Sequence, residues 1–447
     1  MKKFIETLKN IWKIEDLRNR LITTVLFVLI YRFGSFVVLP GVDANALAAL
    51  KSQTSGGIMA LLDMFSGGAF QNASIFALGI MPYISASIVI QLLTIAVPRF
   101  QKLQREGESG RTKMNQYTRY LTVLILALQG PSYLANLRAQ VAQTGSALPE
   151  GIWFLLSSTL ILMAGSMFAM WLGERITAKG IGNGISFIIM VGIISRLPGS
   201  LIQEFSSRMV DSGGGLVMFL LEIIILLLVI GFAILLVQGT RKIPVQYAKR
   251  IVGNKQYGGV RQYIPLKVNA AGVMPIIFAQ AIMFIPMAFA GYSSSEATQT
   301  FWSQFTRFES FGYNLVFAVL IIAFTYFYTA ITVNPTQMAE DMKRNNGFIP
   351  GVKPGKRTAE YLDTIMSRIT LPGSIFLALI AILPAFASIL GINQQFAQFF
   401  GGTSLLILVG VVLDTLQQIE SHLLMRHYDG LLKSGRIKGR TGSASAY

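Results

Sequence analysis

The chain has 447 residues, of which 53% are hydrophobic and only 13% charged, and a formal net charge of +17. Soluble domains carry roughly 25% charged residues, so the composition sets this chain apart from them and points to a polytopic membrane protein. The absence of cysteine excludes disulfides, thiolate nucleophiles and Cys-ligated metals, and two histidines, His422 and His427, are too few for a His-rich site.

The N-terminal run FIETLKNIWKIEDL sets Phe4, Leu8, Ile11 and Trp12 at helical spacing against Lys9, Lys13 and Glu15. Within 1–20 it reads as an amphipathic helix, either lying on the inner membrane surface or packed on the protein's own loops. A spanning helix needs about 20 mostly apolar residues, and the first such run is 21–39. That run exceeds the apolar core of a signal peptide and nine more follow, so no cleaved leader is expected.

Next comes GGIMALLDMFSGGAF, Gly56 to Phe70. Its mostly apolar core, Ile58 to Phe65, covers about two helical turns, too short to cross. Gly56, Gly57, Gly67 and Gly68 bracket it as hinges. Irregular backbone at membrane depth is tolerated only where it is buried in protein or lines water. The segment is therefore either a re-entrant plug in a cavity or a surface helix at the outer interface.

The second span, 73–97, contains SIFALGIMPYISASIVIQLL. Ile80, Ile84 and Ile88 recur every four residues on one helix face. Gly79, Pro82, Ser85 and Ser87 would be of little use to a helix that faced only lipid. Further spans are expected at 120–137, 152–173, 184–203, 215–238, 271–291, 313–333, 369–390 and 401–425. The third is short, and Arg196 and Pro198 interrupt the fifth.

Charge placement tests the count. With the N-terminus cytoplasmic and ten spans, 32 basic residues fall inside, and only Lys51, Arg138, Arg196, Arg208 and Arg307 fall outside. Deleting the fifth span would put the seven basic residues of 239–270 outside, against the positive-inside rule. Ten spans with both termini inside is the topology the sequence supports. Glu222 in the sixth span and Asp414 in the tenth are read as helix-packing or partner-subunit contacts, and Glu174 as an ion-pair partner of Arg175 or Lys179.

Several long stretches then become specific. SIFALGIMPYISASIVIQLL resembles the second transmembrane segment of the SecY family, the channel subunits of the bacterial protein translocase. MWLGERITAKGIGNGIS (Met170 to Ser186) is similar to that family's motif joining its fourth and fifth segments. EGESGRTKMNQYTRY, QYAKR, IPLKVNAAGVMP, VNPTQMAEDMK and FGGTSLLI match other family stretches in the same order, so the resemblance covers essentially the whole chain.

What the resemblance implies is an all-α membrane protein of ten helices, in two pseudo-symmetric five-helix halves around a central pore with a re-entrant plug half-helix. The halves would be 21–203 and 204–425, followed by a basic cytoplasmic tail, 426–447. No sequence repeat relates them, so the pseudo-symmetry comes from the family alone. The matching positions give a pore ring of Ile80, Ile84, Ile189, Ile277 and Ile407. They give a plug over 57–70, including Gly57, Ile58, Met59, Leu61, Leu62, Met64, Phe65, Gly67 and Gly68. They also give polar lateral-gate positions Ser85, Gln129 and Asn269. Any one isoleucine in such a composition would otherwise read as lipid-facing or core.

The same resemblance gives the two basic inner loops, 239–270 and 334–368, a docking role beyond topology and attraction to anionic lipid. Arg241, Lys242, Lys249, Arg250, Lys353, Lys356 and Arg357 would contact ribosomal RNA or the SecA ATPase. Lys353 stands where the family often has arginine, keeping the charge and losing the bidentate fork. Implied partners also include SecE, SecG, secretory preproteins with their signal sequences, and membrane lipids. The localisation implied is the bacterial inner membrane.

No phosphate-binding run, metal motif or nucleophile elbow occurs, and GESGRTK lacks the phosphate-loop spacing. The expectation is a non-enzymatic channel without a cofactor, powered by a partner and passing unfolded polypeptides across the membrane and hydrophobic helices sideways into it. The alternative is a secondary transporter of a small solute with inverted repeats. It would need polar or charged groups converging at mid-depth, and Asp414 alone keeps it open.

Overall fold

The computed structural model describes residues 12, 14–42, 63, 65–143, 149, 151–210, 215–247, 250–252, 255–257, 261–280, 282–283 and 310–433. The helices in chain order are α1 (Glu15–Gly34), α2 (Met81–Ala96), α3 (Pro98–Arg105), α4 (Glu108–Gln143), α5 (Ile152–Lys179), α6 (Gly184–Val210) and α7 (Gly215–Gln238). After a set of short strands follow α8 (Phe311–Thr332), α9 (Pro335–Arg344), α10 (Lys356–Ile389), α11 (Gln394–Ala397) and α12 (Gly402–Lys433). Among the described residues seven helices are long and apolar enough to cross a membrane, and eight if α2 and α3 form one bent span. The expected first span falls on α1, which carries Arg18, Arg20 and Arg32. Of the seventh, residues 274–280 and 282–283 are helical, and 284–291 lie outside the described residues. The amphipathic N-terminal helix also lies outside them, apart from an exposed Trp12.

The second span differs from the expected continuous helix. Residues 75–80 are turns, and the helix starts only at Met81. Gly79 has φ +53, a left-handed conformation that ends a helical path and that glycine adopts without a Cβ clash. Pro82 sits in the first turn of α2, where its missing N–H leaves nothing unpaired. The preceding chain is held by the loop after α1: Leu39 N donates to Ala73 O at 2.9 Å and Ile75 N to Val37 O at 3.0 Å.

Apolar packing divides the spans into groups. Tyr31, Phe76, Leu172, Ile176 and Ile188 join α1, α5 and α6 to the turn segment. Ile276, Phe317, Ile321, Leu377, Leu405 and Leu406 join the later spans. A third cluster crosses between the groups. It brings Phe65 and Ile189 together with Leu226, Phe396, Phe400 and Ile407.

Beyond the spans, the two basic loops fold together. β1 (Thr240–Tyr247) pairs antiparallel with β4 (Arg261–Lys267), from Thr240 opposite Lys267 to Gln246 opposite Arg261. β1 also pairs with β5 (Gly347–Phe348), so the sheet order is β4-β1-β5. β2 (Arg250–Val252) and β3 (Lys255–Tyr257) extend the hairpin as a separate pair. Ile243, Val245 and Leu266 pack with Met342, Ile349, Leu362 and Met366 into a small core of their own. Pro244 is tolerated because β5 reaches only Gln246 and Tyr247, leaving no neighbour on that edge to miss its N–H.

Candidate functional site

Within the spans, a cavity of about 440 Å³ is lined by side chains from α2, α4, α6, α12 and the helical residues 274–280. Met81, Ile84, Ser85 and Ile88 come from adjacent turns of α2, a consequence of the four-residue spacing. Ile189 of α6, Ile277 and Ile407 of α12 complete an apolar waist, and among the described residues none that lines the cavity is charged. Gln129, Ser132 and Asn136 of α4, with Ser85 and Gln280, give the cavity a polar flank. Phe65 and Phe70 close it from the segment before α2.

Four of the five ring isoleucines thus meet. Ile80 does not line the cavity: it is buried with Tyr31, Ala69, Phe76 and Ile188, because one turn earlier the same face of the chain is covered by α1 and α6. Of the gate positions, Ser85 and Gln129 share the polar flank. Asn269 lies apart, in the turn after β4, where its Nδ2 donates to Gly272 O at 3.1 Å. Of the plug positions, Gly57, Ile58, Met59, Leu61, Leu62 and Met64 lie outside the described residues. Phe65, Gly67 and Gly68 are described and buried.

The end of the plug segment is held by two arginines that sequence reasoning only counted. Arg196 of α6 forms an ion pair with the buried carboxylate of Asp63 and donates to Gln71 Oε1 at 3.3 Å. Asp63 Oδ1 accepts from Gln71 N at 2.8 Å, which folds the segment back on itself. Arg32 of α1 donates from Nη1 to Gly67 O at 2.7 Å. Gly67 has φ +65, and a Cβ there would lie 2.8 Å from Gly192 Cα, so only glycine allows the two backbones to meet. The signal was available: an ionisable residue inside a span is by default functional, and both Arg32 and Arg196 stand in spans.

Glu174 and Arg175 have partners of their own. Glu174 pairs with Arg119 of α4, Oε2 to Nη2 at 2.7 Å, and not with Arg175 or Lys179 as expected. Arg175 instead sits 5.1 Å from the Trp171 ring centre. The extra length of α4 before the third span places Arg119 there. Asp414 is exposed on α12, outside the cavity lining, with Gln418 Nε2 at 3.5 Å.

Arg241 and Lys242 are exposed on β1, and Lys353, Lys356 and Arg357 are exposed at and before the start of α10. Pairing of β1 with β5 brings both basic loops onto one body. Arg250 lies in β2, and Lys249 is outside the described residues.

The family model described as SecY matches residues 74–416. A protein translocase subunit SecY of Streptomyces scabiei is 44% identical over 94% of this chain and 98% of its own length. Its counterpart in Mycobacterium bovis is 42% identical over 96% and 99%. A solved protein-conducting channel aligns at a TM-score of 0.58 with 16% identity, over 94% of this chain and 95% of that one. A SecY structure described with its plug domain aligns at 0.60 with 16% identity, over the same shares of the two chains. Sec61 of the canine ribosome-channel complex aligns at 0.57 with 14% identity, again over 94% and 95%. These likenesses carry the fold, and the sequence identities carry the relationship: the chain belongs to the SecY family.

Proposed function

We propose that this protein is the conducting subunit of a protein translocase in the bacterial inner membrane, with both termini cytoplasmic. It passes unfolded secretory polypeptides across the membrane and releases hydrophobic helices sideways into lipid. The observation that carries the reading is the convergence of Ile84, Ile189, Ile277 and Ile407 on one cavity that, among the described residues, no charged side chain lines.

An apolar constriction offers an ion nothing in place of its water shell and can dewet. Isoleucine is bulky and stiff at χ1, and it makes no fixed polar bond to an advancing chain. Such a waist fits around many sequences while slowing ions. Phe65 and the segment 57–70 seal it from outside, with Ile80 backing the seal from the α1 side.

Ser85 and Gln129 form a weak polar seam on the flank of the cavity. At roughly 0.6 kcal/mol per hydrogen bond in membrane proteins, such a seam can be exchanged for contacts with a hydrophobic signal helix. Asn269 acts at the other end of the gate, where the helical residues 274–280 begin. The spans divide functionally into 21–203 and 204–425, which part to open the gate.

Without a nucleotide site of its own, the channel takes its energy from a partner. The basic body of 239–270 and 334–368 receives the ribosome or SecA through Arg241, Lys242, Lys249, Arg250, Lys353, Lys356 and Arg357. SecE and SecG complete the complex. Replacing Ile84, Ile189, Ile277 and Ile407 together by alanine keeps helix propensity and widens the waist. Resting proteoliposomes of that variant should leak ions well above wild type, and unchanged conductance would remove the seal from the account.

A further inference from the structure

A second charged cluster lies outside the cavity, where the end of α6 meets α7 and the turn 390–393. Arg208 of α6 reaches Glu204 one turn earlier, Nε to Oε1 at 2.9 Å, and Glu222 of α7, Nη2 to Oε1 at 2.7 Å. The carboxylate side chains expose only 1% and 4% of their surface. The turn adds backbone alone: Arg208 Nη2 donates to Gly391 O at 2.9 Å, and Asn393 N donates to Glu204 Oε2 at 2.9 Å. Among the described residues, α7 and the turn present no other charged side chain to this site, and the next on α6, Arg196, is committed to Asp63.

The charges do not balance. One guanidinium edge normally takes one carboxylate in a bidentate pair, whereas here two carboxylates share it. Two ionised carboxylates over one arginine leave a net negative charge in a buried place, and such a charge is costly without a counter-ion. The hydrogen bonds tell the same story. Glu222 Oε2 meets no donor among the described residues. Both carboxylates meet the same guanidinium, and two ionised carboxylates are both acceptors. A single proton converts one into a donor and restores neutrality.

We propose that Glu222 binds a proton where it shares Arg208 with Glu204, at the joint between the two halves. α6 is the last span before the crossing to α7, and the turn 390–393 belongs to the later spans. The cluster therefore braces α6 against both. Loss of the proton sets two carboxylates in repulsion across that contact and loosens it. The site is separate from the cavity, so it stands whether or not the isoleucine waist conducts polypeptide.

The test is infrared spectroscopy of the full chain in lipid nanodiscs, titrated from mildly acid to alkaline pH. Wild type should keep a protonated-carboxyl stretch at neutral pH that shifts on deuterium exchange. That band should vanish in both Glu204→Gln and Glu222→Gln. A wild-type spectrum without it at neutral pH, or a band unchanged in Glu222→Gln, overturns the proposal. Thermal unfolding supplies a second reading that needs no variant. Because the folded protein holds a proton that the unfolded chain gives up at neutral pH, stability should fall as pH rises. Glu222→Gln, permanently neutral, should flatten that fall. Stability lost only on acidification marks an ordinary ion-pair cluster, and stability set by sodium at constant pH marks a cation site. Either result contradicts proton binding.

Discussion

Ile80 and Ile84 stand one helical turn apart and face different surroundings. Ile84 lines the cavity, and Ile80 is packed under Tyr31 and Phe76. Spacing places residues on a face, but which part of that face is covered depends on helices distant in sequence. Family resemblance selected five isoleucines, of which four meet and Ile80 does not; composition alone could not separate any of them from dozens of apolar neighbours. It gave no hint of Asp63, which became visible only through its pairing with Arg196. Removing one partner of a buried ion pair costs more than removing both, commonly about 3 kcal/mol for the single change. Arg196→Gln and Asp63→Asn alone should therefore each lower thermal stability and raise resting ion leak. Asp63→Asn combined with Arg196→Gln should recover much of both, as a double-mutant cycle measures. Equal losses in the single and double variants would leave the pair without a role in holding the segment.

At the scale of elements, the apolar run 73–97 was legible as a span but not as a turn followed by a helix. Both determinants were present in the sequence. Gly79 and Pro82 flank the start of α2, and hydropathy alone does not register them. Gly79→Ala forces a Cβ into φ +53 and should destabilise by about 1 kcal/mol or more. Pro82→Ala, at a position whose N–H has no helical partner, should change stability little. Thermal unfolding of the two variants checks the contrast, and equal effects would contradict the assigned start of the helix. The hairpin of 240–267 was hidden by its charge. Its alternation, with Ile243 and Val245 buried and Lys242, Pro244 and the half-buried Gln246 between, has the period of a half-buried strand. The basic residues drew the sequence reading toward a loop.

Across the whole molecule, composition was enough for the membrane class, because lipid leaves so few spanning structures available. The meeting of the two basic loops was not legible, since β1 and β5 are about a hundred residues apart. That shared body predicts cooperation between the loops. Lys353→Glu with Arg357→Glu should weaken ribosome binding and make the salt slope shallower by about 1 for each phosphate no longer neutralised. Affinity and slope equal to wild type would remove these two residues from the interface. Asp414, exposed on α12 away from the cavity, gives a solute site no anchor at mid-depth.

The most direct measurement is site-specific crosslinking of a stalled secretory chain to photoreactive residues at Ile84, Ile277 and, as control, Ile80. The account predicts strong adducts at Ile84 and Ile277 and weak ones at Ile80. Adducts absent from Ile84 and Ile277, or formed there only with lipid, would contradict it.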